Sequence, residues 1–588
     1  MTVESHDKSH GQGEEKLNIT GRKLFVKALE EEGVDTLFAY PGGMINELTD
    51  ELYKTEKVRV VLGRHEQAVV HEAQGYARAT GKCGVALVTS GPGATNTITA
   101  IADAHYDSTP LVVITGQVSQ SLIGNDAFQE VDIVGMTRSV VKYGVTVQNR
   151  DDLGRILKMA FYIASTGKPG PVLVDIPKDI QTESGDPEYP EHVEIRGYKP
   201  NHSVHIGQLK KAYKLLKSSK QPMILAGGGV NIAGANQELL KLVSTMNLPV
   251  VTTVMGRGAI PTNDPHFIGD LGLHGKYDAN MAVSNCDVLF SIGTRFNDRI
   301  TGDLNEFAPK AKIIHVDVDT SSISRNVVVD VPIVSDAKLA LSKLNEWAEP
   351  LDTDKWFEKI HAWDLKHPLK MRNDRGMTPQ QIIEALNQTF PKAIVTTDVG
   401  QHQMWTSQYL EMNEHKKFIT SGGLGTMGFG FPAAVGAKLG KPKTPVICVT
   451  GDGGFQMNMQ EMATAVTSGL PIIICLFNNQ YLGMVRQQQQ LYYGKRYEIT
   501  CLRKRHTCPP DCKGPNENCP PYVPDFVKWA ESYGCKAVRV TEVSEIQSAL
   551  DMAKAEKHAP TLIEFMISSD ELVLPMVKNG GAMNDMIL

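Results

Sequence analysis

The chain has 588 residues, 41% of them hydrophobic and 21% charged, and a formal net charge of −6. This is ordinary globular composition, with length for roughly three to four domains of ~150 residues each. The slight acidity excludes a broad basic face for nucleic acid, and no window approaches the ~20 continuous apolar residues of a membrane helix.

Residues 1–17 are polar and charged. They lack the apolar core of a secretory signal and the arginine-rich, acid-poor character of a transit peptide, so a disordered leader on a cytoplasmic protein is expected. Beyond them, β-branched apolar runs alternate with amphipathic helical stretches, the pattern of parallel sheets covered by helices. The expected fold class is α/β, with three doubly wound domains at 18–186, 204–349 and 377–568 and a separate tail at 569–588. Strands are expected at 36–40, 58–62, 84–88, 111–114 and 171–175 in the first block, and at 222–226, 249–251, 287–292 and 313–317 in the second. Polar stretches at 181–201 and 350–376 read as connections.

In the first block a strand runs into Gly63-Arg64-His65-Glu66 just where a helix begins. A carboxylate there is costly to bury unless paired or protonated, so Glu66 is either a helix cap or an acid held for chemistry. Ser90-Gly-Pro-Gly by itself is only a tight turn. In the second block, Ala226-Gly-Gly-Gly229 after a strand is a loop or a weak dinucleotide signal. Arg295 and Arg299 bracket a turn and could grip a pyrophosphate or form a surface ion cluster, while Asp317 at a strand end could accept ribose hydroxyls.

The third block is the most informative. An apolar strand, Val446 to Gly451, runs into Asp452-Gly453-Gly454; after a helix-length stretch, a second apolar run ends at Asn478-Asn479. In a parallel sheet both loops open at the carboxyl ends of neighbouring strands, where ligands sit. Asp452 and Asn479 offer hard oxygen donors suited to a small divalent cation that also grips phosphates, and the glycines permit close approach of a diphosphate. Upstream, His402 and Met427 are, taken singly, as consistent with a helix end and a core position as with ligand contact.

Read in order, Arg64-His-Glu66-Gln, Ser90 to Asn96, Thr115-Gly-Gln117-Val, Gly124 to Glu130, Gly170 to Asp179, Thr397 to Trp405 and Ser421 to Gly430 resemble the catalytic subunits of acetohydroxyacid (acetolactate) synthases, thiamine-diphosphate enzymes. The resemblance runs from about Asn18 to Asn584. It implies pyrimidine-binding and diphosphate-binding domains flanking a central FAD-binding domain. Glu66 would be the activating acid, with Gly43, Gln117, Phe128 and Lys178 at the substrate channel or cofactor edge. Gln401, His402, Gly425, Met427, Gly453, Gly454 and Met484 would contact thiamine diphosphate, and Asp452, Asn479 and the Tyr481 carbonyl would hold Mg2+. Lys168, Gly228, Gly229, His274, Arg295, Arg299, Asp317, Val318 and Asp336 would contact FAD. The implied reaction decarboxylates pyruvate and joins the hydroxyethyl unit to a second 2-oxoacid, in branched-chain amino acid biosynthesis. A dimer or tetramer with a small regulatory subunit is implied as well.

The chain departs from the family at Asn297 (usually Asp), Lys168 (usually Arg), Gln488 (usually Trp) and Met44 (usually small). The last two are expected to weaken the preference for 2-oxobutyrate as second substrate. Two competing readings are a relative that uses another acceptor or oxidises pyruvate, and a flavoprotein scaffold without catalysis. Cys501, Cys508, Cys512 and Cys519 form a C-x6-C-x3-C-x6-C insert. It is open to zinc, an iron–sulfur centre, reversible disulfides or no role, since the spacing matches no standard ligand pattern.

Overall fold

A computed structural model describes residues 18–372, 376–413, 415–509, 512 and 514–588. The expected leader lies outside the described residues. Three six-stranded sheets follow one another along the chain. The first contains β1 (Thr36–Tyr40), β2 (Arg59–Leu62), β3 (Gly84–Val88), β4 (Leu111–Gln117), β5 (Tyr143–Thr146) and β6 (Pro171–Pro177). The second contains β7 (Pro222–Ala226), β8 (Val250–Thr252), β9 (Phe267–Asp270), β10 (Val288–Ile292), β11 (Lys312–Asp317) and β12 (Val331–Val334). The third contains β13 (Ile394–Thr397), β14 (Lys417–Thr420), β15 (Val446–Gly451), β16 (Ile472–Asn478), β17 (Lys536–Val540) and β18 (Thr561–Met566). Neighbouring strands run parallel in all three, so helices cover both faces and interior strands such as β4 and β16 are buried at every residue.

The spatial orders decide where ligands fit. The first sheet reads β2-β1-β3-β4-β6-β5 and the third β14-β13-β15-β16-β18-β17, which is one topology used twice. The central sheet reads β9-β8-β7-β10-β11-β12, the order of dinucleotide-binding sheets, with its switch point between β7 and β10. Gly227 to Gly229 and Gly293 to Arg295 leave those two strands side by side.

The outer units meet through α1 (Glu66–Thr80) and α4 (Gly430–Gly440). A methyl group at Gly75 would strike the Ala433 carbonyl, and one at Gly436 would strike the Glu72 carbonyl. Between them in sequence lie α2 (Ile98–Asp107) and α3 (Gln401–Tyr409); α5 (Asp452–Asn458) and α6 (Gly483–Tyr492) follow.

Two stretches differ from expectation. The polar connection at 350–376 contains a helix, Asp354–Lys366, whose Trp356 is buried and donates its indole N–H to the Pro222 carbonyl at 3.0 Å. Scattered apolar residues on a charged helix hid this anchor. The tail folds back instead of standing apart: Val577 N–H donates to Leu273 O at 2.9 Å, Asp303 N–H to Gly581 O at 3.0 Å, and Val573 is fully buried. Among the described residues no helix is long and apolar enough to cross a membrane.

Candidate active site

β15 and β16 are adjacent, with Gly451 opposite Phe477, so Asp452 and Asn479 emerge together at their carboxyl ends. Asp452 opens α5, and its Oδ2 is buried without a hydrogen-bond partner. Burial pushes this carboxyl up to about 7, against hydrogen bonds from Tyr522 and the local backbone. A buried acid with an idle oxygen is a poor structural element but a good half of a cation site. Asn479 Oδ1 accepts from the Tyr481 N–H at 3.0 Å, while its Nδ2 donates to Gln401 Oε1 at 3.1 Å. Gln401 in turn donates to Gln487 Oε1 at 2.8 Å and to the Glu571 carbonyl at 3.0 Å. Gln401 therefore orients the Asn479 amide, with its own donors already committed.

His402, on the first turn of α3, is buried, and burial depresses it to about 3, so it is neutral. Its Nε2 has no hydrogen-bond partner, an idle position matching a phosphate oxygen. Gly453 and Gly454 have no room for side chains, since methyl groups there would strike Leu482 and the Asp398 carboxylate, so the start of α5 is bare backbone.

The loop carrying Gly425 and Met427 is held from two sides. Asp398, buried after β13, accepts from the Gly428 N–H at 3.0 Å and the Gly430 N–H at 3.1 Å. On the other side, Asp103 on α2 accepts from Ser421 Oγ and, at 2.9 Å, from Thr426 Oγ1. Asp107 accepts from the Gly422 and Gly423 N–H groups at 3.2 and 2.7 Å and pairs with Arg78 at 3.3 Å. Burial, then the charge of Asp103, pushes Asp107 up to about 7. Asp103 and Asp107 escape a reading of the sequence, because nothing local distinguishes an aspartate on a buried helical face from a misplaced surface charge; Asp398 lies inside the quoted Thr397–Trp405 segment but carries no signal of its loop partners there.

At the first sheet, Glu66 is 8% exposed and its Oε2 accepts from Asn96 Nδ2 at 2.9 Å. The helix cap is His65, whose ring accepts the Gln67 N–H at 3.2 Å, which leaves Glu66 free of capping. Its other oxygen faces the space beside Gly93. Gln117 and Lys178 leave adjacent strands β4 and β6. The Gln117 amide donates to Val131 O at 2.9 Å and to Asp175 at 3.2 Å. Phe128 stands 83% exposed at a loop tip, and Gly43 opens a short helical turn after β1.

A cavity of about 1450 Å3 opens at the central switch point and continues to the third sheet. Lys168, Gly228, Gly229, His274, Arg295, Arg299, Asp317, Val318 and Asp336 all line it, together with Gly425, Met427, Met484 and Gln488. Glu66, Gln117, Phe128 and Lys178 do not. Methyl groups at Gly227 and Gly229 would collide with Gly293, so the cradle depends on bare backbone. Burial raises Asp317 to about 6 and lowers His274 to about 4, and His274 Nδ1 has no partner. Arg295 lies over the Tyr106 ring, and Lys168 pairs with Asp319 at 3.1 Å. Asp336 serves as a helix cap, accepting from the Lys338 and Leu339 N–H groups at 2.9 and 3.1 Å.

Of the roles left open for the cysteine insert, neither a metal centre nor a disulfide is formed among the described residues. Among the described residues no three His, Cys, Asp or Glu side chains converge to hold a metal, and Cys501, Cys508, Cys512 and Cys519 are free thiols. Cys508 and Cys519 turn their sulfurs back on the Arg505 and Asn516 N–H groups at 3.3 Å, so the sulfurs serve their own turns.

The class these three sheets and strand-end clusters define is that of thiamine pyrophosphate enzymes. The N-terminal TPP binding domain of that class matches residues 19–136, its central domain 209–344 and its C-terminal TPP binding domain 398–565. The chain is 45% identical over 580 residues to the acetolactate synthase large subunit of Haemophilus influenzae, covering 97% of this chain and 98% of that one. It is 45% identical over 583 residues to a probable acetolactate synthase large subunit of Methanocaldococcus jannaschii (97% and 95% covered), and 42% identical over 583 residues to the acetolactate synthase isozyme 3 large subunit of Escherichia coli (97% and 98%). The chain therefore belongs to the acetolactate synthase large subunit family of thiamine pyrophosphate enzymes.

Proposed function

We propose that this chain is the catalytic subunit of an acetolactate synthase: it decarboxylates pyruvate and condenses the hydroxyethyl unit with pyruvate or 2-oxobutyrate, in branched-chain amino acid biosynthesis. The observation that carries the reading is the buried Asp452 carboxylate, idle at Oδ2, beside Asn479 at the ends of adjacent strands. This donor set fits Mg2+, with the Tyr481 carbonyl as a third oxygen, and the idle His402 Nε2 and the bare Gly453-Gly454 backbone fit a diphosphate. Thiamine diphosphate, when bound, supplies the electron sink for decarboxylation. Glu66 would act as the acid at the pyrimidine end, with Asn96 fixing its carboxyl group. Met427 and Met484 wall the pocket against water, and Lys178 would orient a substrate carboxylate, with Gln117, its amide committed to Val131 O and Asp175, fixing the end of the neighbouring strand.

The switch-point cavity with Arg295, Asp317 and the Gly227–Gly229 cradle fits FAD as a structural ligand. Glu66 and its companions lie outside the cavity that holds Met427, which supports completion of each site by a second copy of the chain. The relatives' description as large subunits supports a small regulatory partner. Nine free cysteines suit a reducing, cytoplasmic setting. The test is acetolactate formation from pyruvate by purified protein given Mg2+ and thiamine diphosphate. Product appearing only with both supports the reading; its absence with both present overturns it.

A further inference from the structure

The cysteine-rich insert touches the cation loop at both of its ends. Where it begins, Thr500 to Leu502 lie antiparallel to Gln480 to Leu482: Leu482 N–H donates to Thr500 O at 2.9 Å and Leu502 N–H to Gln480 O at 3.0 Å, around a Tyr481–Cys501 bridge. Where it ends, Tyr522 Oη accepts from Gln456 Nε2 at 3.1 Å, and the same amide donates to the Asp452 carbonyl at 2.9 Å. Between the two stems sits Arg503. Its Nη1 donates to Gln480 Oε1 at 2.5 Å, its Nε to Pro520 O at 2.9 Å and its Nη2 to Cys519 O at 3.2 Å.

Gln480 separates Asn479 from Tyr481 and has φ +67°, a left-handed backbone that a non-glycine residue holds only when its surroundings enforce it. The Gln480 backbone is held at its carbonyl by Leu502 N–H and at its N–H by Asn478 Oδ1, while the planar guanidinium of Arg503 joins the Gln480 side chain to the far end of the insert, a fork that a lysine does not match. A surface decoration would not spend a guanidinium on closing its own stems and on a residue inside the cation loop.

We propose that Arg503 is a positioning residue: it makes the insert a clasp that fixes the turn at Gln480, and thereby sets the Asn479 amide and the Tyr481 carbonyl against Asp452 for a divalent cation. This rests on the cation site proposed above and adds a residue from a segment otherwise remote from the chemistry.

The experiment measures binding of Mn2+, as a paramagnetic stand-in for Mg2+, to the full-length protein with thiamine diphosphate present, through the loss of the free Mn2+ resonance. Arg503→Ala is expected to raise the Mn2+ concentration for half-saturation at least tenfold, and Arg503→Lys to give an intermediate value. Turnover lost in Arg503→Ala should recover as cation is raised, which a generally damaged fold would not allow. Unchanged Mn2+ affinity in Arg503→Ala overturns the proposal. If that variant does not fold, Gln480→Ala removes the acceptor while leaving the stem bonds in place, and unchanged affinity there overturns it equally. Unmodified protein that takes up no Mn2+ with thiamine diphosphate overturns the cation site itself, a distinct result.

Discussion

Thr426 donates its hydroxyl to the Asp103 carboxylate across 2.9 Å, which ties the residue before Met427 to a helix of the first sheet. Ser421 bonds the same oxygen and also accepts the Gly425 and Thr426 N–H groups at 3.0 and 2.8 Å, so Asp103 fixes the turn from Ser421 to Thr426 through two hydroxyls. Asp103→Ala strands two hydroxyls, at about 1–3 kcal/mol for each unsatisfied buried group. The expected outcome is thiamine diphosphate half-saturation raised on the order of tenfold, or more, with an earlier thermal inactivation. Titration of intrinsic fluorescence with the cofactor checks it; unchanged affinity would mean that Asp398 and Asp107 hold the turn without Asp103.

Glu66→Gln is expected to lower acetolactate formation by about 10²–10⁴-fold, the usual worth of a positioned acid. Asn96→Ala, which removes the donor 2.9 Å from Glu66 Oε2, should cost less, on the order of tenfold. Steady-state rates at saturating cofactor decide the matter, and a Glu66→Gln enzyme working at full speed would sink the assignment.

Gln488 lines the same cavity as Met484 and Met427. Replacing it with Trp restores an apolar wall, and a methylene is worth roughly 1–3 kcal/mol in such a pocket. Gln488→Trp is therefore expected to raise the choice of 2-oxobutyrate over pyruvate about tenfold or more. The product ratio from mixed substrates reads this directly; an unaltered ratio would remove Gln488 from acceptor selection.

Glu72 on α1 faces Glu461 of the third unit, and burial first, then the charge of Glu461, raises its pKa well above the ordinary 4.5. A carboxyl group raised in the fold binds its proton more tightly there than in the unfolded chain. Its contribution is complete below the unfolded value and is lost as pH climbs through the folded one. Glu72→Gln, which keeps a neutral donor and cannot ionise, should thus gain thermal resistance relative to the unmodified protein at pH 8 more than at pH 5. Inactivation temperatures at the two pH values test this, and a larger gain at pH 5 would contradict the sign.

Interior strands were legible because burial on both faces writes a continuous apolar run, as in 446–451 and 471–477. Seven strands escaped notice: β5, β9, β12, β14 and β17 at the edges of their sheets, and β13 and β18 one place further in. Edge strands need fewer apolar residues and tolerate Pro332 in β12, so their signal is weak. At the site, Asp452, Asn479 and Glu66 could be read because a polar residue at the end of an apolar strand is conspicuous. Asp103, Asp107 and Arg503 could not, because their partners are hundreds of residues away or lie inside a segment with no regular pattern. The cysteine spacing left several roles open, whereas the contacts of that segment with the cation loop run through Arg503 and the backbone.

The repeated strand order of the outer sheets has a further implication. α1 and α4 occupy the same place in each, following the second strand and preceding the third, and they nest glycine against backbone in both directions. The outer units thus meet through equivalent helices, an arrangement like that of paired identical subunits. In the function proposed above, one half would turn its strand ends toward proton chemistry and the other toward an anion and its counter-cation. A bulky residue at Gly75 or Gly436 would part the two halves.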